Sequence, residues 1–182
     1  MVMLHVKSAA AAAAATSSSS SSDADEETEF LYECAASAAV ADVAAALGVL
    51  AGLQARLLSL CRRLRARCAD AGAAAVGELE RAIDEAEAEA YASKEQVQHN
   101  RFLSPCALRE HIKTIEEKCA TALQEPTEAL DLQESSSDSK HERIQLWWAG
   151  KELAMDHKLC DYIGINEKTK IVIKLTRARD DR

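Results

Sequence analysis

Ile144-Gln145-Leu146-Trp147-Trp148-Ala149-Gly150-Lys151-Glu152-Leu153 is the stretch on which the fold turns. Its first five residues alternate β-formers, so every second side chain faces the same way, and Ala149-Gly150 supplies a turn at their end. Downstream, Thr169-Lys170-Ile171-Val172-Ile173-Lys174-Leu175 sets Ile171, Ile173 and Leu175 on one face against Val172 and Lys174 on the other. Two strands are expected here, paired with one from the amino terminus. In that strand, Met1 to Lys7, Val2, Leu4 and Val6 share a face while His5 and Lys7 look the other way.

Between these ends the chain changes character several times. Ser8 to Ser22 is almost pure alanine and serine, with no side chains from which to build a core, and Asp23 to Glu29 is acidic. Residues 8–28 are therefore expected to be a disordered loop, with Phe30 to Cys34 returning as the second strand of a hairpin. From about Ala38 to Ala69, Val40, Val43, Leu47, Leu50, Leu53, Leu57, Cys61, Leu64 and Cys68 recur at three-to-four spacing, the mark of one face of a long helix. Gly72 stands where a terminator would. A second, weakly apolar helix from about Ala75 to Gln98 carries Leu79, Ile83, Ala86 and Ala90 on one side. Ser104-Pro105 signals a third start, with a stripe of Leu108, Ile112, Ile115, Cys119 and Leu123 ending before Pro126. Leu130 to Lys140 is polar and predicts a linker.

Composition excludes several functions. With 30 acidic against 22 basic residues the net charge is −8, which argues against nucleic-acid or anionic-membrane binding. The basic run Arg62-Arg63-Leu64-Arg65-Ala66-Arg67 predicts a solvated helix face, with contact to an acidic partner as the alternative. No secretory signal is expected at the amino terminus. Ala35 to Leu60 contains Asp42, Gln54 and Arg56, so a soluble cytoplasmic protein without a membrane span is expected. The six cysteines (Cys34, Cys61, Cys68, Cys106, Cys119, Cys160) form no C-x-x-C pair and read as reduced core thiols. His157 and Cys160 are the one suggestive base and nucleophile, without a third group to orient them. His99, His111 and His141 do not gather four metal ligands, the glycines form no phosphate loop, and Asp84 to Glu89 reads as a solvated helix face. No catalysis, metal or cofactor is expected.

Leu146 to Leu153, then Leu159-Cys160-Asp161-Tyr162, then an alternating last strand, resembles the second half of ubiquitin. That resemblance implies a β-grasp sheet over one helix, with Met1 to Lys7 as first strand, Phe30 to Cys34 as second and Ala38 onward as helix. The expected fold class is thus α+β: a discontinuous ubiquitin-like β-grasp sheet and helix with an inserted helical pair. Residues 1–71 and 141–182 would form the two parts of that domain, and 72–140 the helical insertion and linker. A terminal Gly-Gly is missing from the ubiquitin pattern, so conjugation is not implied, and one extra residue falls in Tyr162-Ile163-Gly164-Ile165.

A narrower resemblance, to the Kurly family of cilia- and flagella-associated proteins, rests on Met1 to Lys7, Gln145 to Leu153 and Lys158 to Ile171, with the double Trp before Lys-Glu-Leu as its signature. It implies a non-enzymatic adaptor in cilium motility, acting in cytoplasmic assembly of axonemal dynein arms and residing in the cytoplasm and near basal bodies. Implied partners are dynein-arm assembly factors or chaperones, with oligomeric state left open. A tryptophan pair in a strand puts one ring on each face: with Leu146 and Trp148 inward, Trp147 points out. Trp147, Lys151, Val172 and Lys174 are then the expected protein-binding patch, although inserted helices could instead bury Trp147. A general ubiquitin-like interaction module in a ubiquitin or proteasome pathway is the rival reading.

Overall fold

Both ends of the chain assemble one five-stranded sheet in the order β2-β1-β5-β3-β4. Its strands are β1 (Val2–Ser8), β2 (Thr28–Cys34), β3 (Glu142–Trp148), β4 (Lys151–Glu152) and β5 (Lys170–Arg179). The computed structural model describes residues 1–8, 28–70, 73–91, 99, 101–123, 142–166 and 168–179. Helices among them are α1 (Val40–Asp70), α2 (Ala73–Tyr91), α3 (Pro105–Leu123) and the single turn α4 (Cys160–Ile163). This is the α+β class expected. The alanine-serine tract beyond Ser8, the expected terminator Gly72, residues 92–98 and the polar linker lie outside the described residues.

The chain divides into two compact units: Met1–Val49 with Ser93–Phe102 and His141–Arg182, and Leu50–Ala92 with Leu103–Lys140. In the first, β1 and β5 run parallel at the sheet centre, in the register Leu4↔Ile171 and Val6↔Ile173. β2 pairs antiparallel with β1, and β3 with β5. Only β5 therefore reaches the amino-terminal strand; β3 is separated from it. Ser8 pairs with Thr28, so the two residues expected as loop ends are the last rung of a ladder. Alternation does its work here: Val2, Leu4, Val6, Phe30, Leu146, Ile173 and Leu175 are fully buried on one face, against Val40, Val43 and Leu47 of α1.

α1 begins without a Ser, Thr, Asp or Asn cap. Its first free N–H groups are met from outside: Val40 N–H donates to the His157 carbonyl at 2.9 Å, while Leu159 and Cys160 N–H donate back to Ala38 and Ala36 carbonyls. The loop that presents His157 is itself pinned, since Ala154 N–H donates to the Tyr162 hydroxyl at 3.0 Å. α1 crosses β3 at Gly48, where any Cβ would overlap Ile144 Cδ1.

The second unit is helical. Leu57, Cys61 and Leu64 of α1, Leu79, Ile83 and Ala86 of α2, and Leu108, Ile112, Ile115 and Cys119 of α3 are buried. Ser104 Oγ accepts from Ala107 N–H at 3.5 Å, a long version of the expected cap. The basic run lies on an exposed helix face, as expected, with Arg62, Arg65 and Arg67 exposed; from it Arg65 reaches Asp84 and, through two nitrogens, Glu87 on α2 at 2.6–3.0 Å. The acidic run on α2 is exposed at Asp84 and Glu85, also as expected, and Asp84 and Glu87 are the carboxylates that meet Arg65. Gln54 is buried in this unit and donates to the Ala90 carbonyl at 2.9 Å, in the last turn of α2, where no helical partner exists. By length and composition α1 could cross a membrane, yet its apolar stripe is buried against protein, and Asp42 and Arg56 are exposed.

Two predictions follow from these contacts. Gly48→Val forces a branched side chain into Ile144 and is expected to lower stability by about 1–3 kcal/mol in urea unfolding. Gln54→Glu replaces the donor to Ala90 with a buried carboxylate, whose folded-state pKa is raised. Its penalty should be smallest below the unfolded value of about 4.3 and grow as pH rises towards the folded one, as thermal melts across that range would show.

Candidate functional site

Strand alternation decides what the sheet shows on the face away from α1. Leu146 is buried on the helix side, so Trp147 points to the opposite face, where its Nε1–H donates to Thr176 Oγ1 at 3.1 Å. This ties the indole edge to β5 and leaves the residue half-buried, between the exposed patch and the core position that were the two expectations. Around it lies a shallow groove of about 480 Å³ lined by Trp147, Ala149, Gly150, Val172, Lys174 and Thr176. Val172 is 50% exposed on its floor.

Three of the four expected binding residues thus come together. Lys151 does not join them. It pairs with Trp148, whereas Glu152 pairs with Trp147, so Glu152 shares the groove's face. The one-residue step matters because neighbours along a strand face opposite ways. Thr176 escaped the sequence reading because β5 was ended at Leu175, although the same alternation continued one step would have included it. Ala149 and Gly150 were read as a turn only. Their φ values of 49° and 81° make a turn that suits the strand twist, and Ala149 adopts it at a cost of about 1 kcal/mol relative to glycine.

Electrostatics on this face are uneven. Lys7 and Lys174 stand directly opposite each other on β1 and β5. Lys7 turns to Glu29 Oε1 at 3.2 Å, and Glu29 Oε2 lies 3.0 Å from His5 Nε2. Burial raises the Glu29 pKa, but the hydrogen bonds from His5 and Lys7 overcome it and hold the carboxyl below its ordinary value.

The thiols are placed for packing more than for chemistry. Cys34, Cys61, Cys68 and Cys119 are buried, Cys106 is exposed and Cys160 half-buried, so two of the six depart from the expected core role. Burial pushes Cys34 and Cys61 up to about 11, which keeps them protonated at neutral pH. His157 is turned to Asp161, with Nδ1 at 3.6 Å from Oδ2, and lies edge-on to Tyr162. Asp161 in turn accepts from Lys158 N–H at 3.0 Å, which, with His157, holds its carboxyl below the usual range. These three residues close a turn.

The groove lies wholly within a segment that known proteins share. Residues 144–181 match the family model of cilia- and flagella-associated protein 298. Over 33 residues the chain is 64% identical to cilia- and flagella-associated protein 298-B of Xenopus laevis, covering 18% of this chain and 12% of that protein. It is 60% identical over 37 residues to the Danio rerio protein, and 58% over 36 to the Homo sapiens one; each match covers 20% of this chain, and 13% and 12% of the relative. The matches thus span about an eighth of the relatives' own length. No solved structure matches. The matched family is described by its association with cilia and flagella, not by a reaction.

The Glu29 cluster gives a pH prediction. A carboxyl with a lowered folded pKa stabilises above its unfolded pKa, and that contribution is lost as pH falls through the folded value. Glu29→Gln should therefore be less stable than the parent at about pH 7, and the two should converge as pH falls through the lowered folded-state pKa of Glu29 in urea titrations.

Proposed function

We propose that this chain is a non-enzymatic adaptor of cilium or flagellum motility, acting in the cytoplasmic assembly of axonemal dynein arms and docking a protein partner on the outer sheet face. The observation that carries this reading is the coincidence of the groove with the matched segment: all six lining residues fall inside 144–181. Aromatic anchors in partly desolvated pockets dominate protein interfaces. Trp147, orientation fixed by Thr176, is such an anchor. Partners would be dynein-arm assembly factors or chaperones, met in the cytoplasm or at the basal body. The division into a ubiquitin-like domain of residues 1–71 and 141–182, interrupted by a helical insertion at 72–140, belongs to this proposal.

The second reading, a ubiquitin-like interaction module, is favoured by the strand order with its parallel central pair over a helix. The bulky Trp147 distinguishes the two, because a domain built to grip a small aliphatic side chain clashes with an indole. Disruption of the gene in a flagellated host, scored by beat frequency and dynein-arm occupancy in axoneme cross-sections, is the test. Cilia of normal length lacking arms are expected, and Trp147→Ala should fail to restore them. Full arms and normal beating after disruption would reject the adaptor role.

A further inference from the structure

The outer face of the sheet carries its charges in a pattern that names the chemistry of its occupant. Its central strands are basic: outward positions hold Lys170 and Lys174 on β5, Lys7 on β1 and Arg143 on β3, all in the alternation that faces Trp147 outward. The acidic residues of this face, Glu29, Glu33 and Glu152, sit on the edge strands β2 and β4. In a chain of net charge −8 this central strip runs against the overall balance.

Lys7 and Lys174 are directly opposed, an arrangement that weakens strand pairing unless one charge is neutralised. Glu29 neutralises Lys7. Among the described residues the side chains of Lys170, Lys174 and Arg143 have no hydrogen-bond or ion-pair partner. Lys174 nevertheless lines the groove, next to Trp147 and the exposed Val172.

We infer that the groove binds an acidic peptide segment of a partner protein, one that lays an apolar side chain between Trp147 and Val172 and sets flanking carboxylates against Lys174 and Lys170. This rests on the docking reading above and specifies its partner. The apolar walls and the single indole select a peptide side chain over a phosphate backbone, which would need cations along the whole groove. Charge-assisted contacts to the two ammonium groups set orientation and association rate.

The probe is a fluorescein-labelled synthetic peptide with one Leu-Phe step flanked on both sides by Glu and Asp, titrated with the full chain. Binding by anisotropy is expected, together with a shift of the Trp147 indole N–H resonance. Lys174→Glu should weaken affinity roughly tenfold or more, Lys174→Met less, and added salt should weaken the parent more than Lys174→Glu. Replacing Leu-Phe by Ser-Ser, or the acidic flanks by Gln, should each reduce binding. The inference is overturned if the peptide does not bind, or if Lys174→Glu and Trp147→Ala leave its affinity unchanged. It is also overturned if a single-stranded oligonucleotide or an anionic vesicle shifts the same resonances while the peptide does not. Failure to bind the peptide, alongside armless cilia in Trp147→Ala cells, would reject the acidic partner and keep the adaptor reading. Peptide binding alongside full arms after gene disruption would do the reverse.

Discussion

The parallel pairing of β1 with β5 is the constraint on which the first unit depends. Both strands are central, and each carries a neighbour that has no other place to attach: β2 on β1, and β3 with β4 on β5. Without the central pair the sheet separates into pieces of two or three strands, which are marginal in water. The pair also makes one apolar surface of Val2, Leu4, Val6, Ile171, Ile173 and Leu175, all buried, for α1 to cover. Because its strands come from opposite ends of the chain, the pairing closes a very long loop. Closure entropy grows only logarithmically with length, so this separation slows folding more than it weakens the result.

Covering one face leaves the other to be managed. A sheet with an antiparallel periphery tolerates water on one side, but this one places an indole and two opposed lysines there. The indole's polar edge is satisfied by Thr176 and one lysine by Glu29. Among the described residues the other lysine, Lys174, has no such partner and lines the groove.

Much of this was legible in sequence because it depended on neighbours along the chain. The alternation of Ile171, Ile173 and Leu175, and the outward Trp147, follow from the two-residue period of a strand. The Ser104-Pro105 start and the stripe from Leu108 to Cys119 follow from the helical period. Features set by residues distant in sequence were not legible. Arg65 meets Glu87 and Asp84 only once two helices pack, so this exposed ion pair leaves no signature along the chain. β4 has two residues, too few to show a period. Lys151 was placed on the groove by proximity to Trp147 in sequence, when only the hairpin register determines its side. Ser8 and Thr28 look like loop residues until they are seen as a rung.

The matched segment, finally, separates surface from support. Residues 144–181 contain all but the first two residues of β3, with β4, α4 and β5, and so every residue of the groove. They contain neither β1, which closes the inner edge of β5, nor α1, which covers Leu146, Ile173 and Leu175. They also lack Ala36 and Ala38, whose carbonyls hold Cys160 and Leu159 in place. A fragment of those residues alone would leave one strand edge and an apolar face open to water, both hazards for aggregation. The similarity to the ciliary family therefore includes the whole groove, while part of what supports that groove lies outside residues 144–181. The groove keeps its shape here because β1 fixes the register of β5 and α1 lies over the opposite face of the sheet, so the surface depends on elements from outside the matched segment.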